Sequence, residues 1–82
     1  MLRLPDIQTN ELDLAAIYMV VTGRKPSMYR EHGDKLVTFE LPNDDITRNV
    51  MVSYATGKLV LNAKQFAAAR TWLYRQTREV KP

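Results

Sequence analysis

At 82 residues, the chain has room for one domain with one modest core, because small domains bury a smaller share of their surface than large ones do. Its 45% hydrophobic and 26% charged content is that of a globular protein and excludes the apolar-poor composition of a disordered chain. The net charge is +3 and cysteine is absent, which excludes disulfide staples and thiolate chemistry and points to a reducing, cytoplasmic setting.

The charge is unevenly spread. Residues 1–45 hold five cations against eight acids, a balance of −3, whereas residues 46–82 hold seven cations against Glu79 alone, a balance of +6. Such polarity arises from a partner surface or, more commonly, from two halves that face each other inside one domain. At the amino terminus, MLRLPDIQTN has no long apolar core behind Arg3, and the most apolar run, Leu14 to Val21, is too short to cross a bilayer. Residues 1–8 read as an arm and residues 9–82 as a single domain, with no export or membrane signal.

The first helix is expected to start at Thr9 or Asn10, whose side-chain oxygens can accept from the free N–H groups of a first turn that carries Glu11 and Asp13. Leu12, Ala15, Ala16, Met19 and Val20 recur at helical spacing and predict one buried stripe. Gly23 suits a left-handed C-cap and Pro26 bars continuation, so the helix should end near Thr22. From Ser27 to Leu41 the period becomes two: Val37, Phe39 and Leu41 alternate with Thr38 and Glu40, and SMYRE suits a partner strand. His32-Gly33-Asp34 between them predicts a tight hairpin turn with positive φ at Gly33.

Pro42-Asn43-Asp44-Asp45 combines a breaker with cap residues, and Ile46, Val50 and Tyr54 follow as the stripe of a second helix closed by Gly57. The segment KLVL, residues 58–61, reads equally as a third strand or an extended connector. Asn62 with Gln65 resembles a capping box opening a last helix from Ala63 to about Glu79, its core stripe Phe66, Ala69, Leu73, Thr77 and Val80. The expected fold is α+β: helix, β-hairpin, helix, short strand or extended segment, then a C-terminal helix packed on one face of a small antiparallel sheet. Ala16, Phe39, Val50, Phe66 and Leu73 should meet in one core.

Chemistry is sparse. His32 is the only histidine, and without cysteine the chain lacks the usual His/Cys zinc sites and a Cys-His nucleophile. Asp44 and Asp45 already serve a helix start, and the three glycines are isolated, so no phosphate-cradling loop or dinucleotide fingerprint exists. No catalytic, cofactor-binding or metal residue and no small-molecule site is expected, and the chain reads as a non-enzymatic binding module. Two partner classes remain. A protein partner or a second copy would use Met51 and Val52, which lie outside the stripe of the second helix. Nucleic acid would use the basic face of the last helix, where Lys64, Arg75 and Arg78 lie opposite Phe66 and Leu73, with Arg70, Lys58 and Lys81 nearby. Trp72 and Tyr74 flank the core stripe and read as boundary packing.

Several short patterns occur in order: Asp13-Leu14-Ala15-Ala16 closing at Gly23, Val37-Thr38-Phe39, Tyr54-Ala55-Thr56-Gly57, and Asn62-Ala63-Lys64-Gln65-Phe66. With them, most of residues 9–76 resembles a group of small bacterial and phage proteins catalogued only as a domain of unknown function. The resemblance implies one compact domain, and its phage-like setting favours nucleic acid somewhat. It implies no activity, ligand or catalytic residue.

Overall fold

A computed structural model describes residues 5–31, 33 and 35–80. Six elements follow in order: β1 (Ile7–Thr9), α1 (Leu12–Thr22), β2 (Ser27–Tyr29), β3 (Thr38–Leu41), α2 (Asp45–Ala55) and α3 (Ala63–Glu79). The strands form an antiparallel sheet in the order β1-β3-β2. Side chains alternate across a strand, so β3 buries Phe39 and Leu41 and turns Thr38 and Glu40 away. Thr9 and Met28 lie opposite Phe39, and Ile7 lies opposite Leu41, which completes the inner face. On the outer face Gln8 Nε2 donates to Glu40 Oε1 at 3.2 Å. One face of the sheet is thus apolar and covered, the other polar, as an antiparallel sheet of this size requires.

The third strand is Ile7–Thr9, not the KLVL segment, which is a connector with Val60 92% exposed. Three residues carry too little alternation to announce a strand. What ties it down is Asn10, whose side-chain amide donates to the Val37 carbonyl at 3.0 Å and to Thr38 Oγ1 at 3.3 Å. Asn10 therefore does not cap α1, and neither does Thr9. The N-cap position falls to Glu11 without a side-chain bond, while Thr9 Oγ1 accepts from the Glu11 N–H at 3.1 Å. β2 and β3 pair as antiparallel neighbours, but residues 30–37 join them, so the connection is longer than the tight turn expected from sequence. Gly33 does take positive φ, 91°; His32 and Asp34 lie outside the described residues.

A second correction concerns α1, which buries five consecutive residues, Leu14–Tyr18, rather than one stripe. Ala15 and Ala16 join Val37, Phe39, Ala69 and Leu73 in the main core, with Phe66 half-buried at its margin. At ~100° per residue, Leu14, Ile17 and Tyr18 fall on the other side of α1, and α2 packs against the same helix. Val50 is buried in α2 but stands outside the main core cluster. Because α2 packs chiefly on one helix, its buried face narrows to Thr47 and Val50, and Ile46 and Tyr54 remain 50% and 40% exposed. Among the described residues, no helix is long and apolar enough to cross a membrane.

The helix ends follow from local chemistry. Asp44 accepts from the Thr47 N–H at 2.8 Å and Asn62 from the Gln65 N–H at 3.0 Å, each satisfying a donor that the first turn leaves free. The Asp44 carboxyl is held below its ordinary value of 3.8, first by that backbone N–H and further by the Arg24 guanidinium at 3.2 Å, while burial opposes the shift. A carboxyl depressed on folding contributes stability that is present above its unfolded value and lost as pH falls through the folded one. Asp44→Asn keeps an N-cap acceptor but not the charge. Its denaturation midpoint should approach that of wild type as pH falls below 3.8, and a constant gap between the two proteins across the acid range would refute the assignment.

Candidate functional site

Sequence reasoning separates a basic face of α3 from a core face; the structure places a cleft on the border between them. Its floor and walls are Met19 and Val20 of α1 and Gln65, Ala68, Ala69 and Trp72 of α3, with Lys25 at the mouth. The volume is about 570 Å³, inside the range of roughly 300–1,000 Å³ typical of ligand sites, but the cleft is an open groove rather than an enclosed cavity. Its hollow has a simple cause. Ala68 and Ala69 carry only a methyl group between the bulk of Trp72 and the Met19-Val20 end of α1.

Lys25 reaches this groove because of how α1 ends. Gly23 is left-handed at φ 71° and donates to the Met19 carbonyl at 2.9 Å, a conformation that glycine adopts without steric penalty. The Thr22 hydroxyl then accepts from the Arg24 N–H at 3.1 Å, and the buried ring of Pro26 anchors the exit. Between these anchors Arg24 turns to Asp44 at 3.2 Å, and the Lys25 ammonium sits 4.7 Å from the centre of the Trp72 ring. That is within cation–π range.

The residues nominated from sequence are distributed as follows. Lys64, Arg75 and Arg78 are exposed and share one face of α3. Arg70 does not join them, because its Nε lies 2.6 Å from Asp13 Oδ1 and ties α3 to the start of α1. Arg78 stacks over the Tyr74 ring at 5.3 Å. On α2, Met51 is half-buried and only widens the packed face, whereas Val52 is 60% exposed on the solvent side. Lys58 is exposed beyond α2, and Lys81 lies outside the described residues. Sequence reasoning misses the groove itself and Lys25. The available signal was Ala67-Ala68-Ala69 beside Trp72, a run of small side chains next to the largest one.

The fold and this cleft define a small α+β domain with an open apolar groove between two helices and Lys25 at its mouth. Comparison with known proteins finds no matching family model, no similar curated protein and no similar solved structure.

Proposed function

We propose that this chain is a protein-interaction module whose docking site is the α1/α3 groove. The supporting observation is the conjunction of an apolar floor, an open shape and a half-buried Trp72 at its wall. Tryptophan is, with tyrosine and arginine, one of the residue types enriched among the few that carry most binding energy at protein interfaces. The open shape suits a segment of another protein, since a small ligand is normally enclosed over most of its surface. Self-association through this groove is disfavoured, because a two-fold contact would bring Lys25 and its neighbours near their own copies.

Nucleic acid is the weaker reading. Its supporting observation is the exposed line of Lys64, Arg75 and Arg78, which Arg70, engaged by Asp13, does not extend. A line of three cations supplies few of the phosphate contacts on which affinity for nucleic acid chiefly depends.

The docking reading is tested by selecting a displayed library of random peptides on immobilised protein and on an Ala68→Trp variant. Ala68 is exposed and lines the groove, so an indole there plugs the cleft without entering the core. Wild type should enrich peptides with apolar residues at helical spacing, and Ala68→Trp, folded by circular dichroism, should not retain them. Selections that do not distinguish the two proteins would overturn the reading.

A further inference from the structure

We infer that the occupant of the groove is an acidic amphipathic helix of a partner protein, an inference that rests on the groove being a docking site. The charge on and beside the groove carries the argument. Among the described residues, Arg24, Arg48 and Arg70 are paired with Asp44, Asp45 and Asp13, and none of these cations lines the groove. Lys25, which lines the groove, and Lys64 and Arg75, which stand on α3 next to lining residues, form no ion pair among the described residues. Lys25 closes the α1 side over Trp72. Lys64 precedes Ala68 by four residues and Arg75 follows Trp72 by three, spacings that place each beside its partner on the helix surface. Glu79, one turn beyond Arg75, is past the residues that line the cleft and makes no ion pair with it. No acid lines the groove, and the three cations on and beside it form no ion pair among the described residues, so the groove is set in positive charge.

Shape selects the secondary structure of the occupant. The walls are two helices, so the groove accepts a third helix by ridge-into-groove packing. The α3 wall from Gln65 to Trp72 spans eight residues, ~10 Å at the helical rise, which admits about two turns of a docked helix with anchors at i, i+3, i+4 and i+7. Ala68 and Ala69 permit close approach. Carboxylates flanking those anchors would meet Lys25 on one side and Lys64 and Arg75 on the other. The chain itself offers no such helix, since α1 is buried and the acids at the start of α2 are engaged by Arg24 and Arg48.

Three synthetic helical peptides with one shared Leu face and flanking positions of Glu, Gln or Lys test the inference, with Trp72 fluorescence and titration calorimetry as readouts. At low salt the Glu peptide should bind about tenfold tighter than the Gln peptide, the scale of three exposed ion pairs, and the gap should close at high salt. The triple variant Lys25→Glu, Lys64→Glu, Arg75→Glu should reverse the order in favour of the Lys peptide, and Ala68→Trp should weaken all three. A Gln peptide as tight as the Glu peptide, or a tighter Lys peptide, overturns the acidic partner and leaves the docking site standing. Absence of binding by every peptide overturns both. Mixed-sequence duplex DNA that binds wild type and Ala68→Trp alike, and displaces the Glu peptide, assigns the cations to nucleic acid and overturns the inference.

Discussion

Phe39→Ala is expected to destabilise the domain by about 3–5 kcal/mol, the range for removing a fully buried phenylalanine. Phe39 is 2% exposed at the middle of the central strand, between Thr9 on one neighbour and Met28 on the other, and beneath Ala15, Ala16, Ala69 and Leu73. The two strands that flank β3 are three residues each and have little stability of their own, and the four alanine and leucine side chains above sit on helices fixed by other contacts. Since small domains have total stabilities at the low end of about 5–15 kcal/mol, the variant should lose most of its cooperative transition in a urea titration followed by circular dichroism. Phe66→Ala is the internal comparison. Sequence periodicity gives both phenylalanines the same rank, but Phe66 is half-buried at the margin of the core, so its loss should move the midpoint much less. Equal effects, or a near-normal midpoint for Phe39→Ala, would mean that β3 is not the centre of the sheet.

That contrast shows what a sequence holds and what it does not. α3 is legible from Ala63 to Glu79 because it is long, its period is clean, and Asn62 announces its start with a side-chain bond. The end of α1 is legible because a left-handed position before a proline needs glycine. β1 is not, since Ile-Gln-Thr becomes a strand only through its partner, fixed by an asparagine that otherwise looks like a helix cap. The single stripe expected for α1 fails because Leu14, Ile17 and Tyr18 fill the opposite side with apolar groups, and periodicity weakens in a helix covered on both faces. The groove is hidden for a different reason. Its hollow depends on two helices, and the approach of Lys25 to Trp72 depends on the exit angle set at Gly23, so no window along the chain contains both walls. The cations of α3 were visible, but which of them is engaged by an acid was decided only when Asp13 met Arg70.

The final test separates three adjacent residues, Trp72, Leu73 and Tyr74, which at ~100° per residue point to three different environments. Leu73 is fully buried in the main core, and Leu73→Ala should cost about 2–5 kcal/mol, according to how far the cavity collapses. Tyr74 is 56% exposed and supports the Arg78 guanidinium, so Tyr74→Ala should lose no more than an exposed cation–π contact, about 0.5–1 kcal/mol. In a domain of this size each kcal/mol moves Tm by about 4–8 °C; the first substitution should therefore lower Tm by about 10 °C or more and the second by a few degrees. Trp72 stands between them, half-buried against the core and half in the groove, so Trp72→Ala should lower Tm by an intermediate amount and also abolish binding of the acidic peptide. Leu73→Ala should instead leave that binding intact at temperatures where it is still folded. A Tyr74→Ala variant as unstable as Leu73→Ala would show that α3 is rotated about its axis from the position described, and with it would go the alignment of Ala68, Trp72 and Arg75 along the groove.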